Sequence, residues 1–86
     1  MARVKRVIDG DTFETNSGQR VRLAGVDAPE KGKPRSAKAI EKLKSLIVKK
    51  DIIVDPIGIS YGRIVADVKV DGKSVNKSMQ RHLKRA

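Results

Sequence analysis

Two pairs of carboxylates and two arginines carry most of the chemistry open to this chain. Asp9 and Asp11 flank Gly10, while Asp27 and Glu30 flank the turn-former Pro29. Carboxylates from separate strands, brought to one end of a sheet, suit a hard divalent cation. Asp11 and Asp27 would hold such an ion together, with waters and a main-chain carbonyl completing the shell. Arg22 and Arg63 suit phosphate chemistry, because a guanidinium pairs with two oxygens of a phosphodiester as negative charge builds on them. Tyr61, just before Gly62 and Arg63, is open to two readings: a phenol donating to a substrate phosphate, or a partly buried loop tyrosine. Each piece alone also has an ordinary reading. Asp-Gly-Asp is a common turn, and arginine in a strand is often simply solvated. His82 falls near the end of a helical pattern, where packing or complementing the helix dipole is its expected role.

These residues need rigid elements behind them. Val4, Val7 and Ile8 mark a first strand, interrupted at 9–11 by a turn or bulge, where Gly10 permits a positive φ between two carboxylates. Residues 12–15 form a second strand, and 16–18 close a hairpin. A third strand is expected over 19–26, with Val21 and Leu23 alternating against Arg20 and Arg22. Arg22 and Asp27 are an odd number of residues apart, so a regular strand would turn them to opposite faces. They can share a cleft only if the strand bulges or ends near Gly25. A helix is expected over 36–50, capped by Ser36, with Ala39, Ile40, Leu43 and Ile47 on its apolar stripe and Leu46 beside it. Residues 51–55 read as a strand stopped by Pro56, and 57–61 as a loop or short strand. From Gly62 a strong strand carries Ile64, Ala66, Val68 and Val70 on one face, and Asp71-Gly72 turns the chain. Val75, Met79 and Leu83 then mark a last helix. Three strands, a helix, two strands and a helix predict a mostly β domain, the five-stranded Greek-key barrel of the OB type with two α-helices. An α+β sheet of another topology is the alternative. One domain over residues 1–86 is expected, because the chain is too short for two cores.

Composition narrows the partners. Twenty Lys and Arg against ten Asp and Glu give a net charge of +10, which favours a polyanion, above all nucleic acid. With one Phe and one Tyr, base stacking cannot be the main binding device. The absence of cysteine excludes disulfides and thiolate metal sites, and a lone histidine excludes a zinc site built on paired His. No apolar run is long enough to span a membrane and no signal-peptide core follows Met1, so a cytoplasmic location is expected.

In order, residues 8–12 (Ile-Asp-Gly-Asp-Thr), 22–30 (Arg-Leu-Ala-Gly-Val-Asp-Ala-Pro-Glu), 61–63 (Tyr-Gly-Arg) and 71–76 (Asp-Gly-Lys-Ser-Val-Asn) resemble the staphylococcal nuclease (thermonuclease) family over nearly the whole chain. The resemblance implies a calcium-dependent nuclease on an OB barrel, cleaving DNA or RNA by water attack on phosphorus and leaving 3′-phosphate ends. It implies Ca²⁺ bound by the carboxylates of Asp11 and Asp27 and the main-chain carbonyl of Ala28, with Asp9 behind them. Ala28 stands where the family usually has Thr; a carbonyl ligand survives that change and a hydroxyl contribution does not. Glu30 falls on the general base for the attacking water, Arg22 and Arg63 on the arginines that stabilise the transition state, and Tyr61 on a contact to the substrate phosphate. The loop after Glu30 is short, and the family typically continues past the position of Ala86 into another helix and a tail. A compact thermophilic version, or pairing with another chain, would compensate.

Lys31, Lys33, Arg35 and the basic last helix are expected to hold the nucleic-acid backbone without reading sequence. One rival is a non-catalytic nucleic-acid-binding OB module, which accounts for the charge but leaves the acids and both arginines unused. The other is the protein-interaction role that degenerate nuclease domains take in Tudor-type proteins. That role goes with missing acids and an aromatic cage, neither of which this chain shows.

Overall fold

The computed structural model describes residues 2–84. Its strands are β1 (Val4–Asp9), β2 (Thr12–Thr15), β3 (Arg20–Leu23), β4 (Ile53–Ser60), β5 (Arg63–Val70) and the two-residue β6 (Lys73–Ser74). Helix α1 (Ser36–Ile47) lies between β3 and β4, and α2 (Val75–Lys84) follows β6. The sheet runs β1-β2-β3-β5-β4, with β6 paired to β5. Only β3 and β5 run parallel; the other neighbours are antiparallel. This is the architecture of an OB-type barrel, although the sheet is not closed by a continuous ladder. At the seam, Ala2 and Ile52 exchange two 2.9 Å backbone hydrogen bonds, and Arg3 pairs with Asp51 at 2.9 Å.

Alternation builds the core. Phe13, Val21, Leu23, Ala66 and Val68 point inward from β2, β3 and β5, while α1 adds Ala39, Leu43 and Ile47 and α2 adds Val75 and Met79. Burying each large apolar side chain contributes about 1.5–3 kcal/mol. The helical stripe is narrower than its sequence pattern, since Ile40 and Leu46 are only half-buried. Neither helix is long and apolar enough to cross a membrane.

Several expectations need correction. The third strand ends at Leu23, not at residue 26, because Ala24 and Gly25 turn there with Gly25 at φ 71°. Helix α1 stops at Ile47, three residues early: Val48 is extended and Lys49 is left-handed at φ 64°. Ser36 does not cap it. Arg35 occupies the N-cap at φ 70°, and the tight turn that gives the Ser36 N–H to the Lys33 carbonyl has already carried Ser36 into the helix. Pro56 does not stop β4, which continues to Ser60 through a register shift between Pro56 and Gly58. An edge strand tolerates proline because its outward side needs no N–H donor. Gly10 is not at positive φ. A Cβ there would lie 2.6 Å from the Ala39 Cβ and 2.9 Å from the Ala28 Cβ, so glycine is required by close packing.

Candidate phosphodiester and metal site

The site begins where β2 starts and β3 ends. Thr12 sits opposite Arg22 in the β2–β3 ladder, and the Leu23 N–H donates to the Asp11 carbonyl at 2.8 Å. That pairing sets Asp11 beside the guanidinium of Arg22. Arg22 Nη2 lies 3.6 Å from Asp11 Oδ2 and 3.9 Å from Asp27 Oδ1, while its Nη1 donates to the Leu23 carbonyl at 3.2 Å. The strand break at Gly25 thus resolves the parity conflict: Asp27 lies beyond β3 and returns to the side of Arg22.

Burial divides the two carboxylates. Asp11 is buried, and its oxygens accept from the Thr12 hydroxyl at 2.8 Å and the Ala28 N–H at 3.1 Å. The Asp27 side chain is 99% exposed. Both contacts to Arg22 exceed hydrogen-bond length, so the guanidinium balances the two charges without saturating their lone pairs. Asp9 holds the far end of the same loop by accepting the Lys31 N–H at 3.1 Å.

The turn that carries Asp27 is braced from α2. Asn76, buried, accepts the Val68 N–H at 2.9 Å through Oδ1 and donates through Nδ2 to the carbonyls of Ala24 at 2.9 Å and Ala66 at 3.1 Å. One turn further on, Gln80 Nε2 donates to the Gly25 carbonyl at 2.9 Å. Sequence reasoning gave neither residue a role. The available signal was Asn76 itself, a polar residue beside Val75 at the inward-facing start of an amphipathic helix, where it must find partners.

Glu30 is exposed beyond Pro29, and its carbonyl accepts the Lys33 N–H at 2.9 Å. Tyr61 is 95% exposed, so the partly buried reading of this residue does not hold. Ser60 and Arg63 are paired across a two-residue turn, with Tyr61 at φ 51° and Gly62 at φ 74°, the paired positive values of a tight hairpin. Val65 is the register partner of Arg22, and Arg63 lies two residues from Val65 on the same sheet face. The two arginines are therefore diagonal neighbours, with backbones roughly 8 Å apart. Glu30, Tyr61 and Arg63 form no ion pair or side-chain hydrogen bond among the described residues. His82 is half-buried on α2.

The donors near Arg22 are oxygen throughout, as a hard cation requires. Among the described residues no group of three His, Cys, Asp or Glu side chains could hold a metal. The fit therefore rests on two carboxylates, main-chain oxygen and water. Ala28 lies next to these acids, its N–H donating to Asp11 Oδ2 at 3.1 Å.

The profile of the family described as staphylococcal nuclease homologue matches residues 20–82. A protein named uncharacterized endonuclease from Escherichia coli is 39% identical over 84 residues, covering 92% of this chain and 55% of that protein. A thermonuclease from Staphylococcus intermedius is 41% identical over 64 residues, covering 70% of this chain and 38% of its own length. A micrococcal nuclease from Shigella flexneri is 32% identical over 77 residues, covering 80% and 44%. The chain spans about half the length of the curated relatives it matches. With the profile covering well over half of its residues, the chain belongs to the family of staphylococcal nuclease homologues.

Proposed function

We propose that this domain is a calcium-dependent nuclease that hydrolyses phosphodiester bonds in DNA or RNA. The observation that carries this reading is one guanidinium, Arg22, within 4 Å of two carboxylates on separate segments, with Arg63 on the same sheet face. Asp11, Asp27 and the Ala28 carbonyl would hold Ca²⁺. When bound, the ion supplies Lewis-acid polarisation of the phosphate and offsets the carboxylate charge.

The chain's own residues carry the rest. Arg22 and Arg63 pair with phosphate oxygens and stabilise the charge gained as water adds to phosphorus. Glu30, exposed and free of partners among the described residues, takes a proton from that water. A new P–O bond forms, the bond to the 5′-oxygen breaks, and the leaving oxygen takes up a proton, so the product ends in a 3′-phosphate. Tyr61 donates to a neighbouring phosphate. The basic residues Lys31, Lys33 and Arg35, all exposed, hold the flanking backbone without sequence preference.

The test is cleavage of single-stranded DNA and RNA by the 86-residue chain, with calcium or with chelator, beside a Glu30→Gln, Arg63→Ala double variant. Calcium-dependent cleavage should fall by at least ~10²-fold in the variant, the usual scale for losing a base or a transition-state donor. Products should resist 3′ extension until treated with a phosphatase. Binding without cleavage under any metal condition would sink the nuclease reading and leave a nucleic-acid-binding module.

A further inference from the structure

Helices α1 and α2 meet over a cleft of about 210 Å³, lined by Lys42 from α1 and by Ser78, Arg81 and His82 from α2. Every lining side chain carries an N–H or O–H donor, and none is a carboxylate. The Ser78 hydroxyl is committed to the Ser74 carbonyl at 3.2 Å. Lys42 and His82 are half-buried and Arg81 is exposed, and none of the three has an ion-pair partner among the described residues. A cation drawn partly out of water without a counter-charge is unfavourable, so the cleft calls for an anion.

The rest of the two helices sharpens this demand. Their only acid is Glu41, which does not line the cleft. Lys38 stands four residues before Lys42 on α1, and Lys77 four residues before Arg81 on α2. Like charges at that spacing share a helix face and repel. An anion between the helices relieves both pairs. Arg35, Lys38 and Lys42 recur at helical spacing, so a row of cations leads from the loop after Glu30 along α1 into the cleft. The first turn of α1 lies against the candidate site, since Ala39 abuts Gly10. A small anion has no need of such a row; a chain of phosphates does.

We propose that the α1–α2 cleft is a second phosphate subsite, which holds the backbone of the nucleic-acid strand away from the bond being cut. This rests on nucleic acid being the substrate, and it adds where the strand runs beyond the metal site. Lys42 and Arg81 supply the charge, and the His82 imidazole donates at least one N–H whether neutral or charged. By sequence α2 is merely a basic helix; its packing on α1 is what gathers Lys42, Arg81 and His82 around one position.

Binding of a single-stranded oligonucleotide in the presence of chelator tests the cleft apart from the metal-dependent chemistry. His82 is the one histidine of the chain, so its ring proton resonances report on the cleft. They should shift as the oligonucleotide is added. Lys42→Ala and Arg81→Ala should each weaken binding several-fold with an unchanged circular dichroism spectrum. Each should also lower the slope of log K against log salt by about 0.7, the share of one phosphate contact on a single strand. Lys44→Ala removes an equal charge from an exposed position of α1 outside the cleft, and should leave the slope unchanged. Unmoved His82 resonances, or slopes unchanged in both cleft variants, overturn the proposal. A Lys44→Ala loss equal to that of Lys42→Ala overturns it too, assigning binding to the helix face at large. So does inorganic phosphate that shifts the His82 resonances as readily as the oligonucleotide, which assigns the cleft to a free anion. Cleft binding without calcium-dependent cleavage would remove the nuclease reading and leave this subsite standing.

Discussion

The turn after β3 and the β4–β5 hairpin each carry part of the candidate site, and they are held in different ways. Residues 24–31 are tied to other segments at four points: Ala24 to Asn76, Gly25 to Gln80, Ala28 to Asp11 and Lys31 to Asp9. The hairpin that presents Tyr61 and Arg63 is held on its β5 arm by the parallel ladder to β3, whereas its β4 arm past Pro56 has only the ladder to β5 and a tight turn, with Ile57, Ile59 and Tyr61 exposed. Metal ligands must be fixed in advance, because two carboxylates repel until a cation arrives. A group that grips phosphate can close upon the substrate, since the charge it meets comes with the ligand. Under the proposed function, the ties preorganise Asp11 and the turn that carries Asp27, while Tyr61 and Arg63, without side-chain partners among the described residues, are left to adapt to the phosphate.

Removing the ties should make the turn as loose as the hairpin. The largest effect is expected from Asn76→Ala. It leaves the Val68 N–H and the Ala24 carbonyl without this partner, while the Ala66 carbonyl keeps the Ala24 N–H. Urea unfolding should show a loss of about 2–3 kcal/mol, the scale of one buried N–H and one half-buried carbonyl left unpaired. A cost under 1 kcal/mol would mean that water takes over and that the tie is dispensable. Gly10→Ala comes next. Its Cβ would press on Ala39 and Ala28 together, so about 1–3 kcal/mol should be lost, with weaker calcium binding by titration calorimetry as the Ala28 segment is displaced. Gln80→Ala is the mildest. Its single exposed bond to the Gly25 carbonyl is worth about 0.5–1.5 kcal/mol. Hydrogen exchange should rise around Asp27 and stay unchanged in the hairpin; a rise in both regions would erase the contrast.

Much of this was legible in the chain. Alternation at Val21/Leu23 and at Ile64/Ala66/Val68 gave the strands and their inward faces, because a two-residue period has one buried solution. The odd spacing of Arg22 and Asp27 required a break at Gly25, and a turn stands there. Local rules misled wherever tertiary contact outweighed them. Asp-Gly-Asp suggested a turn whose glycine permits a positive φ, whereas glycine is required there because Ala39 and Ala28 leave no room for a Cβ. Ser36 resembles a cap by type, but the preceding turn had already placed it inside α1. Pro56 reads as a strand stop until β4 is known to be an edge.

The sequence by itself determined the residue kinds and their order: acids from two segments, arginines in two strands, a basic surface, and apolar periods that yield an OB-type sheet with two helices. Those properties follow from side-chain chemistry and short-range spacing. Only the tertiary structure decided that Asn76 and Gln80, 52 and 55 residues from the carbonyls they hold, brace the turn that leads to Asp27, and that Ile57, Ile59 and Tyr61 stand exposed. Hydrogen bonds across such separations leave no period in a chain. Whether an isoleucine is core or surface depends on what else folds over it.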